Sequence, residues 1–485
     1  MKGNDGEDLQ ELFKPAVRLT TTMNETGMMP DITGETPANA AAFSSRRHTQ
    51  GIRPQMAASV KRRFVQRRSS LIATVFFFLL FSGPPRFRIR DGEASLRGEV
   101  DWVVMLHIAV WTLAGLWVLY QVSKHKRLIL QFTLPQKLGL AMVFSLAISA
   151  VVSKAPLLAG FKIYQMLISL AFVHVFVKLY GRQHSLKTIF WASALLCAAV
   201  AVGAIVSPDL VWTASDFNPD PSRLRGELIA TTGVVSAFAM ILLLTGVRKL
   251  WRPIPASLLG LFLVLLVLSL MRTAYAVELV FLALVLLKRP KVKPLRQVAY
   301  LVCLAIPILY LYHWLPKLSQ YRDPGSIADL DDRVGLWRYL AGVTFAQSPW
   351  LGLGYYSASR VYGPEYNVGL GTAHSMFMEI LLGGGVLSTA FLIGLCAVLS
   401  VCAARLLLTR RGAFSFATVA LFIACVMFGF MGEEIDSGPV AICFWYSAAV
   451  LPWLCKQAER SVPKQIGKDF PAFAMGAKQL RGQTQ

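Results

Sequence analysis

Apolar stretches long enough to cross a bilayer recur along most of the chain, and no other feature narrows its possible folds as much. In lipid every backbone N–H and C=O must bond internally, so only helices and closed barrels can span. A spanning helix takes about 20 apolar residues, and the runs here are continuous rather than alternating, so helices are expected. Twelve spans follow, at approximately residues 69–85, 102–122, 138–153, 158–178, 187–207, 227–247, 254–271, 273–288, 297–315, 383–408, 413–431 and 438–455. The first, third and eighth are short, and only Met271–Arg272 separates the seventh from the eighth. The fold class read from this pattern is all-α: a polytopic membrane protein of about twelve transmembrane helices with one large loop, 316–374. Composition agrees. Apolar residues make up 55% of 485 positions and charged residues only 16%, with a mean hydropathy of +0.52, whereas a soluble domain carries about a quarter charged residues.

A net charge of +22 would suit a nucleic-acid partner, but the placement of the charges argues against one. Basic residues form short clusters between apolar runs: 61–68, 124–127 with Lys137, then Lys178, Arg182 and Lys187, then Arg248, Lys249 and Arg252, then 288–296, then Arg405, Arg410 and Arg411. These fall on alternate loops, as the positive-inside bias predicts. No stretch interleaves basic and aromatic residues along a soluble face, so no nucleic-acid partner is expected. Both termini are therefore expected in the cytoplasm, with 316–374 facing outward.

Residues 1–68 form an expected disordered cytoplasmic segment, low in apolar periodicity. Residues 69–455 form the membrane domain, and 456–485 a cytoplasmic tail. The first apolar run lies too deep for an ordinary cleaved signal peptide and is followed by Arg86, Arg88 and Arg90, so an uncleaved span is expected. The seven cysteines (Cys197, Cys303, Cys396, Cys402, Cys425, Cys443 and Cys455) all lie in apolar segments without zinc-type spacing. They read as small hydrophobes.

Arginines on the outer side are informative because the insertion bias runs against them. Arg223 and Arg225 precede the sixth span, Arg272 heads the eighth, and Arg333 and Arg338 lie in the large loop. An arginine at membrane depth is costly and marks a candidate site. Its planar fork of donors suits a phosphate or diphosphate. Structural roles compete: Arg272 can snorkel or pair with Glu278, Arg223 and Arg225 can pair with Asp216, Asp220 or Glu227, and Arg333 with Asp331 or Asp332. His374 lies where the loop re-enters the membrane. A neutral imidazole there can accept a hydroxyl proton near pH 7, and it can equally serve as a capping or packing residue. Glu379, about a helical turn on, can orient the ring or be a solvated charge. His107, His174 and His313 read as structural.

Trp350, Tyr355 and Tyr356 can stack against sugar rings or anchor the loop at the interface. Gly352 and Gly354 suit a tight turn; no strand–helix unit surrounds them, as a dinucleotide loop requires. Gly383–Gly385 predicts a kink in the following helix. Asp331-Asp332 falls short of a metal-coordination set, so no metal and no cofactor is expected.

Taken in order, Ser269–Ala274, Asp332–Trp337, Ser348–Gly354, Ala373-His374-Ser375, Glu379 and Gly383–Gly385 resemble the O-antigen ligase and polymerase superfamily. Its members include bacterial lipopolysaccharide ligases and exopolysaccharide polymerases. The resemblance covers roughly residues 220–430. It implies twelve helices of GT-C-like arrangement in a bacterial inner membrane, with a large periplasmic loop. It implies a polyprenyl-diphosphate-linked oligosaccharide donor, a glycan acceptor, metal-independent transfer, and contact with polysaccharide chain-length or export proteins. Arg272 and Arg333 would bind the diphosphate and His374 would serve the acceptor. Arg225, Arg338, Glu379 and Tyr355 are the further expected substrate contacts. The chain departs from the family where it has Ser375 in place of a frequent Asn, and Thr231 and Thr232 where an Asn often follows Arg-Gly.

A polymerase is the leading expectation and a ligase the alternative. A lipid-linked oligosaccharide transporter is the competitor from another class. A transporter would place charges near the bilayer midplane on paired broken helices, whereas the unusual charges here lie at the outer face.

Overall fold

The computed structural model describes residues 71–83, 102–126, 131–213, 223–224, 232–245, 256–288, 305, 333–366, 372–409, 412–432 and 435–461. The helices are α1 (Leu71–Ser82), α2 (Trp102–Lys124), α3 (Leu134–Val151), α4 (Pro156–Tyr180), α5 (Arg182–Val206), α6 (Thr232–Leu244), α7 (Ala256–Leu268), α8 (Arg272–Lys288), α9 (Arg333–Gln347), α10 (Ser357–Tyr366), α11 (Met376–Thr409), α12 (Ala413–Met431) and α13 (Gly438–Ser461). Strands among the described residues are limited to Trp212–Thr213 paired antiparallel with Arg223–Leu224. Seven of these helices (α2, α3, α4, α5, α11, α12 and α13) are long and apolar enough to cross a membrane, and α1, α6 and α7 are shorter apolar helices. The chain is an all-α, multi-pass membrane protein. Each expected span contains a described helix except 297–315, which lies outside the described residues apart from Ala305.

Local chemistry sets the helix ends. Pro156 opens α4 and Pro135 lies in the first turn of α3, where a missing N–H costs nothing. At α3, Gln136 Oε1 accepts the Thr133 N–H at 3.0 Å. α7 and α8 are two helices despite the short connection. Leu270 adopts φ 50°, and the Tyr275 hydroxyl crosses the break to donate to Val267 O at 2.6 Å.

α13 is the central helix, with 89% of its apolar window buried, against 28% for α2 at the periphery. The exposed Leu106, Leu113, Leu116 and Leu119 of α2 suit a lipid-facing side. Two expected structural histidines are bonded within the bundle. Trp111 Nε1 donates to His107 Nε2 at 2.7 Å, and Gln136 Nε2 lies 2.8 Å from His174 Nδ1.

The large loop is not all irregular. Leu336, Leu340 and Thr344 fall at intervals of four and bury one face of α9. Leu336 and Leu340 join Ala358, Tyr362, Ala373 and Leu382 in a small core separate from that of the bundle. The base of this helical cap is stitched into α11. α11 breaks at Gly385 (φ 61°, ψ −161°), and the 349–354 turn lies against the break. Leu353 N donates to Leu382 O at 2.9 Å, Gly354 N to Gly383 O at 3.0 Å, Val386 N to Pro349 O at 2.9 Å and Leu387 N to Trp350 O at 3.3 Å. Ser149 of α3 donates to Gly383 O and accepts from Gly354 N. Gly383–Gly385 thus kinks the helix, as expected, and also lets two backbones meet where no Cβ would fit: one built at Gly352 would lie 2.6 Å from Gly383 C.

Candidate functional site

The α3–α4 turn, the cap and the α12–α13 turn converge at one end of the bundle. Ala155 N donates to Ser357 Oγ at 3.1 Å, Arg333 Nη1 to Met431 O at 2.9 Å, and Lys162 Nζ to Asp436 Oδ2 at 2.8 Å. Arg333 begins α9, and His374 lies two residues before α11. The Arg333 guanidinium and the His374 backbone carbonyl both approach Gly432. A Cβ built there would lie 3.8 Å from Arg333 Nη1 and 3.7 Å from His374 O.

Two bonds hold the segment before His374. The Trp337 indole donates to Ala373 O at 2.6 Å. Ala373 N donates to Glu379 Oε1 at 2.7 Å, while Ser359 Oγ donates to Glu379 Oε2 at 3.0 Å. Glu379 is fully buried, so it is neither a solvated charge nor an open substrate contact. It ties the His374 segment to α10 and the start of α11.

His374 adopts φ 49°, and the other non-glycine residues with positive φ among the described residues are Leu270 and Tyr356. Such backbones cost about 1–3 kcal/mol each and cluster at functional sites. Leu270 stands two residues before Arg272, and Tyr356 stands beside Tyr355, so all three flank or form candidate positions.

Arg333 is half-buried, and burial lowers its pKa from the ordinary value. The guanidinium stays charged at physiological pH and has further N–H donors beyond the one given to Met431 O. Arg338 lies on the exposed side of α9. Arg272 heads α8, is exposed, and does not pair with Glu278. Both Glu278 carboxyl oxygens are buried without a hydrogen-bond partner. α8 packs on α12, whose last residue, Met431, carries the Arg333 contact, so Arg272 stands on a helix adjoining the one that Arg333 grips. Tyr355 is enclosed, its ring 5.2 Å from and edge-on to Tyr356; it packs beneath the cap instead of facing an opening. Trp350 is 70% exposed. Arg225 and the Asp331-Asp332 pair lie outside the described residues.

One ion pair at this end was missed in the sequence. Lys162 reaches the fully buried Asp436 and also lies over the Tyr356 ring, 4.2 Å from its centre. Ser169 Oγ donates to Asp436 O at 2.7 Å, while Asp436 Oδ1 has no hydrogen-bond partner. A lysine inside the apolar run 158–178 was the available signal; its partner, in a loop far along the chain, could not be read. Among the described residues no three His, Cys, Asp or Glu side chains converge as a metal site would require. The chain matches no protein-family model and no curated protein.

Proposed function

We propose that this chain is a membrane glycosyltransferase. In this reading it polymerises polyprenyl-diphosphate-linked oligosaccharide repeats into exopolysaccharide at the periplasmic face of a bacterial inner membrane. Twelve spans and cytoplasmic termini belong to the same proposal. The observation that carries it is the approach of the Arg333 guanidinium and the His374 backbone to the same residue, Gly432, with the His374 segment held by Trp337 and Glu379. A guanidinium beside the backbone of the segment that carries a histidine, at one end of the bundle, suits an anionic leaving group and a hydroxyl nucleophile.

His374 takes the proton of an acceptor sugar hydroxyl. The hydroxyl oxygen attacks the anomeric carbon of the donor and forms the new glycosidic bond with inversion. The bond from that carbon to the diphosphate breaks, and its electron pair leaves with the diphosphate. Arg333 and Arg272 stabilise the charge that develops there, the kind of electrostatic support that supplies much of a catalysed rate. Arg338, exposed on the next turn of α9, is placed to meet the donor glycan or its phosphates.

The test is purified full-length protein in liposomes with a lipid-diphosphate-linked repeat. His374→Ala is expected to bind donor and lose turnover, whereas Arg333→Ala and Arg272→Ala are expected to weaken donor binding. Normal polymer from His374→Ala would overturn the mechanism. Deleting the gene separates polymerase from ligase. Loss of long chains with single repeats retained supports the polymerase. Free polymer with none attached to lipid A core supports the ligase instead.

A further inference from the structure

The end of the bundle opposite the cap carries a second feature. A cavity of about 700 Å³ opens between the α4–α5 turn, the start of α12 and the last turns of α13. Arg182 and His184 line one wall, Phe414 and Ser415 a second, and Trp453 and Gln457 a third. The Arg182 guanidinium lies over the Trp453 ring, 3.4 Å from its centre. That stacking holds the cation in the cavity wall.

Among the described residues no carboxylate lines this cavity and no acid pairs with Arg182. Glu459 of α13 is engaged by Arg405 at 3.0 Å. The nearest charges along the chain are also cationic: Lys178 lies four residues before Arg182 and Lys187 five residues after it. A half-buried guanidinium fixed in a cavity, without a counter-ion among the described residues, is completed by an external anion.

The walls indicate which anion. Phe414 and Trp453 give an apolar side that a free phosphate does not need. The cavity also lies at the ends of four spanning helices, where the headgroup layer of a bilayer would be. Basic pockets between transmembrane helices take anionic headgroups in this way.

We propose that this cavity binds the headgroup of an anionic phospholipid from the leaflet at that end. Arg182 grips the phosphate. Ser415 and Gln457 offer hydrogen bonds, and Phe414 and Trp453 flank the glycerol and first acyl carbons. The site is independent of the glycosyl-transfer chemistry at the other end.

The experiment uses the full chain purified in a neutral detergent. Phosphatidylglycerol or phosphatidylcholine is added, and the apparent melting midpoint and the lipid adducts in native mass spectrometry are measured. Phosphatidylglycerol is expected to raise the midpoint and to be retained as an adduct, and phosphatidylcholine to do neither. Arg182→Gln is expected to weaken phosphatidylglycerol binding at least tenfold. Arg405→Gln, which removes a cation outside the cavity, is expected to leave it unchanged. Gln457→Glu places a carboxylate at an exposed wall position, is expected to fold, and should also abolish the retained adduct; it carries the test if Arg182→Gln does not fold. Equal binding of phosphatidylcholine, unchanged binding in Gln457→Glu, or displacement of the lipid by millimolar inorganic phosphate would each overturn the proposal.

Discussion

Replacing Gly385 with alanine tests the seam between cap and bundle. Gly385 has φ 61° and ψ −161°, a region open essentially to glycine alone and worth about 1–3 kcal/mol of strain for other residues. A Cβ there would also lie 2.5 Å from Trp350 C and 2.6 Å from Pro349 O. Both are backbone atoms, so no rotamer change can relieve the clash, and overpacking of this kind costs about 1–3 kcal/mol more. The sum is about 2–6 kcal/mol, a large share of the roughly 5–15 kcal/mol that holds a domain folded. Moving the backbone to relieve the clash would break the bonds from Val386 N to Pro349 O and from Leu387 N to Trp350 O.

Gly394, on the same helix, is the internal control. Its added Cβ would meet only Leu138 Cδ1 at 3.8 Å, an ordinary contact, so alanine there should gain up to about 1 kcal/mol of helix propensity. Thermal unfolding of both variants in one detergent, with limited proteolysis across 348–356, reads the difference. Gly385→Ala should melt several degrees lower and be cut faster in the turn, while Gly394→Ala should melt at or above the wild type. A Gly385→Ala protein as stable and as protease-resistant as the wild type would refute the seam.

Glu379→Gln keeps an oxygen for the Ala373 N–H and should largely preserve folding. Glu379→Ala leaves that N–H unpaired in a buried place, at about 1–3 kcal/mol, while the Ser359 hydroxyl can still donate to Tyr356 O at 3.3 Å; equal melting midpoints for the two variants would contradict this role. Lys162→Met strands the buried Asp436 and should destabilise by up to about 3–5 kcal/mol, less the relief from the partial exposure of Lys162. The double variant Lys162→Met/Asp436→Asn should lose less than the sum of its two single variants, as measured by a double-mutant cycle on melting midpoints, and strict additivity would show that the two side chains are not coupled.

The fold was more legible than the site. Spans could be located because the bilayer sets a length and a polarity that each segment must satisfy alone, as in 182–206 or 413–431. The α7–α8 connection tested this. Two apolar runs separated by Met271–Arg272 are hard to divide by composition, and the left-handed Leu270 and the Tyr275–Val267 bond divide them. The helices of the cap were not foreseen, because α9 and α10 bury only short apolar stripes against each other and so leave a weak pattern. Glu379 was open to several roles in the sequence; burial and its two partners give it a structural one. Tyr355, expected to meet substrate, is enclosed because Gly383 lets its backbone lie directly against α11.

The amino-acid sequence by itself determined that this is a helical membrane protein, roughly where its spans lie, and that arginines and a histidine collect around one long loop. Those features follow from hydropathy, charge and local spacing, which each segment carries alone. Only the tertiary structure decided that the Arg333 guanidinium and the His374 backbone both approach Gly432, that Glu379 holds the His374 segment, and that Lys162 reaches Asp436. The Arg333 and Lys162 contacts join residues tens to hundreds of positions apart, and the Ala373–Glu379 bond, though it spans six positions, is buried by the cap; all of them depend on α3, α4, α12 and the cap closing on one end of the bundle.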